Sequence, residues 1–277
     1  MSVTAILIVK NEAKHLAACL ETVRGWVDGI LVYDSGSTDS TREIAESFGA
    51  RFVVDTDWQG FGRHRQKAQE QVTTEWCLWL DADERITPEL KASIQAALAR
   101  PEADTVYAFP RLTWAYGRFI RHCGWYPDHC LRLYPTALTR FSGALVHESV
   151  EVKAGMKVQP LEGDLLHFSY DTLEHHLAKA AKYASAWAEE RARKGKRGSL
   201  FQALLHGSFR FLRMYFLRAG FLDGKAGLVL SILGGHAAFI KYVALWMHSQ
   251  PGRPEPTAQP SAGGGAEKRN AATDGHR

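Results

Sequence analysis

With 277 residues, 45% hydrophobic and 23% charged, the chain has the material for a substantial core. Its composition lies far from disordered, collagen-like or disulfide-scaffold proteins. The formal net charge of +4 conceals a local excess: residues 191–222 hold eight Lys/Arg and no acid, leaving 26 bases against 30 acids elsewhere. That distribution argues against a nucleic-acid partner and for one cationic surface suited to an anionic membrane.

Taken in chain order, 3–9 is an apolar, β-branched run that predicts a first strand. Residues 12–24 place Leu16, Cys19, Leu20 and Val23 at helical spacing, with Asn11 as the expected cap. A second strand over 29–33 runs into Asp34, a short helix over 41–48 stops at Gly49, and 51–54 makes a third strand. A helix through 63–71 leads to a strand over 76–80, and Thr87-Pro88-Glu89 opens another helix with a capping Thr and Pro at its first position. This βα rhythm predicts an α/β fold with a mostly parallel sheet, whose ligands bind at the carboxyl ends of the strands. From 107 to 170 the aromatic, Gly- and Pro-rich sequence reads as loops and antiparallel edge strands, and 171–248 reads as helical. The tail 249–277 lacks core material and is expected to be disordered.

Asp81-Ala82-Asp83-Glu84 directly follows the apolar run Trp76-Cys77-Leu78-Trp79-Leu80. Three carboxylates in four positions, pinned to the end of a buried strand, repel one another unless something compensates them. A hard divalent cation such as Mg²⁺ or Mn²⁺ does so and leaves positions open for a substrate phosphate. The Asp34-Ser35-Gly36-Ser37-Thr38-Asp39 turn offers amides and small hydroxyls to a nucleoside or phosphate, but it is neither a Walker loop nor a dinucleotide fingerprint. Cys19, Cys77, Cys123 and Cys130 form no C-x-x-C pair, so a reducing compartment is expected. The spacing of His122-Cys123 and His129-Cys130 departs from common zinc ligand pairs. The first residues lack a basic n-region, so no signal peptide is expected.

Ile6-Leu7-Ile8-Val9-Lys10-Asn11-Glu12, Val32-Tyr33-Asp34-Ser35-Gly36-Ser37-Thr38-Asp39 and Leu80-Asp81-Ala82-Asp83-Glu84 together resemble the family 2 glycosyltransferases, which have the GT-A fold. Further on, Cys123-Gly124-Trp125-Tyr126-Pro127-Asp128, Leu131-Arg132-Leu133 and Val146-His147-Glu148 look like the branch that builds lipopolysaccharide core sugars. Asp34-Ser35 departs from the two adjacent acids of many relatives. The resemblance implies a nucleotide-sugar-binding half over 1–110, an acceptor half over 111–170 and a helical region over 171–248. It implies Asp34 on the nucleoside, and Asp81 and Asp83 on the donor sugar and the metal. Arg63 and Lys67 either add charge at the diphosphate or form a solvated helix face. His167 reaches the metal or is a core residue. Glu148 is the expected base, with Asp128 the other candidate, and Trp125, Tyr126 and His147 lie on the acceptor side. The implied activity is inverting transfer of a hexose, UDP-glucose being the expected donor, to a lipid-linked glycan. Rival readings are a polyprenyl-phosphate or peptide acceptor, nucleotidyl transfer, or a basic membrane-surface scaffold.

In the basic region, a helix over 200–217 puts Phe201, Leu204, Leu205, Leu212, Tyr215 and Phe216 on one face, with Gln202, His206, Arg210 and Arg213 opposite. That face packs on its own domain or lies in a membrane interface. The apolar stretch 228–240 stops at Lys241, too short to span, so the expected location is cytoplasmic, peripheral at the inner face of the cytoplasmic membrane.

Overall fold

The computed structural model describes residues 1–143, 148–169 and 172–250. The expected disordered tail past 250, and the Val146 and His147 assignments, lie outside the described residues. The first hundred residues alternate β1 (Val3–Val9), α1 (Leu16–Val23), β2 (Gly29–Asp34), α2 (Thr41–Ser47), β3 (Arg51–Val54), α3 (Phe61–Gln69), β4 (Trp76–Trp79), β5 (Glu84–Ile86) and α4 (Pro88–Ala99). Thr87 caps α4 by accepting from the Leu90 amide, as its sequence signature predicts. Asn11 does not cap α1. It adopts a left-handed φ of 56°, and its side-chain oxygen accepts from the Thr38 amide instead. The helix therefore begins later than expected, at Leu16, without a side-chain cap.

Next come β6 (Thr105–Ala115), β7 (Arg118–Phe119), β8 (Asp128–Pro135), β9 (Lys157–Pro160) and β10 (Leu165–His167). One sheet runs in the order β3-β2-β1-β4-β8-β6-β10-β5, with β7 and β9 also paired to β6. Its β3-β2-β1-β4 half is parallel, while the rest is mixed, because β8 runs antiparallel to both β4 and β6. The middle of the chain is thus no fringe of edge strands: the 11-residue β6 is central. Pro110 is tolerated inside it for a local reason. Ala108, two residues earlier and so facing the same neighbour, bonds the chain after β9, whereas β10 pairs only from Arg111. The missing N–H falls in the gap between the two partners.

Both sheet faces are covered, and β1 and β4 alternate between two cores. Val3, Ala5 and Leu7 join Trp76, Leu78 and Leu80 under α1 and α4, while Ile6 joins Cys77 and Trp79 on the α3 side. Each such buried side chain contributes roughly 1.5–3 kcal/mol, which fixes the strand end that carries Asp81.

Helices α5 (Leu173–Arg193), α6 (Leu200–Leu212) and α7 (Gly224–His248) follow, with a π-helical turn (Arg213–Leu217) and a 3₁₀ turn (Gly220–Asp223) before α7. The helix expected over 200–217 therefore divides at Leu212. Alpha-carbon close approach joins α6 to α7: a Cβ on Gly235 would stand 2.9 Å from the Gly207 carbonyl oxygen, and one on Gly234 2.3 Å from Met214 sulfur. Asp223, fully buried, latches this module to the sheet domain. Its carboxylate accepts from the His122 amide at 2.8 Å and the Arg121 amide at 3.4 Å, and lies 3.1 Å from His122 Nδ1. A small core of Ala115, Ile120 and Cys123 against Met214, Ala226 and Leu230 seals the junction.

The apolar stretch does not stop at Lys241. The helical segment Gly220–His248 is 29 residues long, with a window of mean hydropathy 1.7, long and apolar enough to cross a membrane by length and composition. On α6 the large apolar face is not the packed one. Ala203 and Gly207 are buried, while Phe201, Leu204 and Leu205 are 73%, 61% and 55% exposed.

Candidate active site

Where β1 and β2 end, their loops are stitched together. Asn11 N donates to Ser37 Oγ at 2.8 Å, and Glu12 N donates to Thr41 Oγ1 at 2.8 Å. Asp34 organises the second loop: its Oδ2 accepts from the Gly36 and Ser37 amides at 2.9 and 2.8 Å, and its Oδ1 from the Ser37 hydroxyl. Ser35 Oγ lies 3.0 Å from Nε2 of the buried His64 on α3. Burial pushes the His64 pKa down. Asp34, expected on the nucleoside, is itself buried and holds the loop's amides in place.

The acidic turn after β4 is clamped by two arginines. Asp81 Oδ1 accepts from Arg65 Nη2 at 2.7 Å, and Oδ2 from Arg132 Nη2 at 2.6 Å. Arg132 also reaches Glu84 Oε1 at 2.6 Å, and the Asp81 amide donates to Glu84 Oε2 at 2.9 Å. Burial alone would push the Asp81 carboxyl up, but Arg132 and Arg65 outweigh it and hold the group well below the usual carboxylate range. Burial raises Glu84, against the pull of Arg132. Charged in this way, Asp81 is held as a double acceptor. Asp81, expected on the donor sugar and the metal, thus has its charge compensated by two guanidiniums.

Asp83, just before β5, and His167 at the end of β10 are brought together by the pairing of these two strands. His167 Nε2 is 3.3 Å from Asp83 Oδ2, and Nδ1 is 3.2 Å from Thr113 Oγ1, which fixes the ring. Atoms at adjacent positions of an octahedral ion, each about 2.1 Å from it, are about 3 Å apart. The pair therefore fits a hard divalent ion completed by diphosphate oxygens and water. Among the described residues no group of three or more His, Cys, Asp or Glu is gathered for a metal.

A cavity of about 410 Å³ opens beside the clamp, and its walls include Arg65, Asp81, Arg111, Arg132 and Glu148. A short antiparallel pairing of Phe141 with Val150 carries Glu148, with Ser142 N donating to the Ser149 carbonyl at 2.8 Å. Gln66 Nε2 anchors this hairpin through the Phe141 carbonyl at 2.8 Å. Glu148 Oε1 lies 4.0 Å from Arg65 Nε. Two buried Arg65 nitrogens, Nε and Nη1, and Arg132 Nε have no hydrogen-bond partner among the described residues. Asp128 is engaged by Arg111, whose Nε and Nη2 reach its Oδ2 at 3.1 and 2.5 Å, and it is half-exposed.

Other expected residues lie elsewhere. Lys67 donates to Asp55 and Asp57 at 2.9 and 3.0 Å, and Arg63 Nη1 to Gln66 at 3.0 Å on the outer side of α3. The cations that the structure places on the acidic turn are Arg65 and Arg132. Two positions on from Arg63, Arg65 is turned about 200° around the helix, among the buried set with His64, Ala68 and Gln69. That periodicity was available in the sequence. Arg132 lies at a register shift in β8, between Leu131 and Leu133, which pack into different cores, so simple strand alternation does not find it. Tyr126 donates to Asp164 at 2.8 Å, and Trp125 packs at the helical module, so neither lines the Glu148 cavity. The two His-Cys pairs part company: His122 meets Asp223, Cys123 joins the module core, and His129 and Cys130 line the Glu148 cavity.

The Glycosyl transferase family 2 model matches residues 4–162. An uncharacterized glycosyltransferase of Rickettsia typhi is 29% identical over 88% of this chain and 86% of its own. The lipopolysaccharide core biosynthesis glycosyltransferase LpsC of Rhizobium meliloti is 27% identical over 92% of this chain and 96% of its own. Among solved structures, S. aureus TarS 1-349 in complex with UDP-GlcNAc is 14% identical at TM-score 0.46, covering 90% of this chain and 91% of that one. Glucosyl-3-phosphoglycerate synthase of Mycobacterium tuberculosis with Mn²⁺ and UDP is 21% identical at TM-score 0.35, covering 41% and 44%. With more than half of its length matched and the mixed α/β sheet of the GT-A fold beneath the site, the chain belongs to the family 2 glycosyltransferases.

Proposed function

We propose that the chain transfers a hexose, from UDP-glucose before other nucleotide-sugars, to the inner core of lipopolysaccharide at the membrane surface. The observation that carries this reading is the cavity where the clamped Asp81 and Glu148 face one space. Asp81, fixed by Arg65 and Arg132, accepts from donor-sugar hydroxyls without moving. The Glu148 carboxylate takes the proton of an acceptor hydroxyl, whose oxygen bonds the anomeric carbon while the bond to the diphosphate oxygen breaks. Inversion follows from such a single displacement. Asp83 and His167 would hold Mg²⁺ or Mn²⁺, which when bound neutralises charge building on the leaving diphosphate. Arg65 and Arg132 supply fixed positive charge from the cavity wall. LpsC supports the acceptor class.

The exposed apolar face of α6, beside the basic run 191–197, supports a peripheral site on an anionic leaflet. Carbonate extraction is expected to release the membrane-bound chain. Retention against both carbonate and high salt would mean instead that α7 spans.

Calorimetric titration with UDP-, GDP- and ADP-sugars, with and without Mn²⁺, tests the donor half. One donor is expected to bind with metal and to lose at least about tenfold in affinity in Asp83→Ala. If no donor binds under either condition, the reading fails.

A further inference from the structure

Where the helical module meets the sheet domain, cations converge without acids. A cavity of about 540 Å³ has Arg191, Arg210, Arg213 and Lys241 in its walls. A second, of about 310 Å³, shares Arg210 and Arg213 and adds Arg218. Among the described residues no Asp or Glu lines either cavity, and none of these five cations has an ion-pair partner. The contrast with Lys67, Arg111 and Arg132, each within 3.0 Å of a carboxylate, is complete. Arg191 and Lys241 rest over the Trp187 ring at 5.1 and 5.9 Å, so their orientation is set by packing. Arg218 is held from behind: its carbonyl accepts from the Cys123 amide at 2.9 Å, and its side chain lies along Gly124.

Like charges gathered in this way raise one another's energy until an anion joins them. A phosphomonoester carries about −1.5 to −2 charges and three acceptor oxygens, matching several guanidiniums better than the single charge of a diester. The larger cavity also has apolar walls, Leu230 and Leu233, and opens at Phe209, which is 55% exposed and continuous with the apolar face of α6. We propose that this double cavity is a binding site for the phosphomonoester headgroup of a membrane amphiphile, with the acyl chains lying on the α6 face.

The connecting loop gives the site a place in the reaction. Gly124, Tyr126 and Pro127 line the smaller cavity, while His129, Cys130 and Arg132 line the one holding Glu148. A headgroup phosphate seated at one end of this loop presents its attached sugars toward the other. That step, in which the amphiphile is the acceptor itself, rests on the reading proposed above; the phosphate site does not.

The test is calorimetric titration of the full chain with dihexanoyl phosphatidate, dihexanoyl phosphatidylglycerol and inorganic phosphate. Phosphatidate is expected to bind one per chain and at least tenfold tighter than either of the others. Arg213→Gln and, separately, Lys241→Gln should each weaken it tenfold or more, with UDP-sugar affinity and thermal midpoint unchanged. Equal affinity for phosphatidate and phosphatidylglycerol would mean diffuse attraction, and equal affinity for inorganic phosphate a free-anion site. Either result, or variants that bind like wild type, overturns the proposal. Loss of donor binding in the wild type would sink the transferase reading alone.

Discussion

The crevice over the sheet and the helical module treat charge and apolar surface in opposite ways. In the crevice Arg65, Arg132 and Arg111 are each paired with a carboxylate of their own domain, and the large side chains beneath, Trp79 and Leu80, are fully buried. In the module Arg210, Arg213 and Arg218 face cavities without acids, and Phe201 and Leu217 are 73% and 75% exposed. The first arrangement has its charges compensated within the chain before any substrate arrives. The second, on the proposal made above, is compensated by an anionic lipid, which would house fold stability and membrane affinity in different residues.

That separation can be broken at several points. The largest effect is expected at the base: Glu148→Gln should lower kcat by about 10²–10⁴ while donor affinity stays unchanged. A loss below tenfold would pass the role to Asp128, whose own substitution then becomes the deciding assay. Arg132→Met leaves Asp81 and the fully buried Glu84 facing each other, and should cost about 3–5 kcal/mol of unfolding free energy in a urea titration. A cost under about 1 kcal/mol would mean that the clamp orients without stabilising. On the other side of the comparison, the double change Phe201→Ser and Leu204→Ser removes exposed side chains. Stability should move by less than about 0.5 kcal/mol, while sedimentation with anionic vesicles falls at least tenfold. A matching drop in thermal midpoint would show that the face packs within the protein after all.

The smallest effect concerns Asp55, held at about 2 by hydrogen bonds from Lys67 and from the Tyr33 hydroxyl. As pH falls, the unfolded chain takes up the proton first. The stabilisation is therefore complete above the ordinary carboxylate range and fades between about 4 and about 2. Urea midpoints of wild type and Lys67→Met should differ at neutral pH and converge in that window. A difference that persists at the acid end would assign the Lys67 effect to packing.

How far the sequence led differs between these regions for physical reasons. Strands β1, β2 and β4 were legible because their apolar runs are buried on both faces, and the α4 cap because Thr87-Pro88-Glu89 acts locally. The acidic turn was also legible as a site, but its compensation was not. Arg65 and Arg132 come from elements 16 and 51 residues away from Asp81, and only folding brings them together. The strand β6 was hidden because Pro110 breaks the local pattern and is excused only by the change of partner beside it. On α6 the pattern of apolar residues was correct, yet it could not say whether that face meets protein. The buried contact is made by Ala203 and Gly207, residues too small to register as an apolar face.

The buried Asp223 sets an order of events during synthesis. It accepts from amides 101 and 102 residues earlier in the chain, so both halves of the latch exist only when almost the whole protein has left the ribosome. The sheet domain emerges first and, as N-terminal units do, can fold while translation continues. Its loop at 121–123 then waits as a ready-made dock for the helices. A nascent chain stalled before residue 223 would present the sheet domain with its dock at 121–123 but without the carboxylate that seats the helical module.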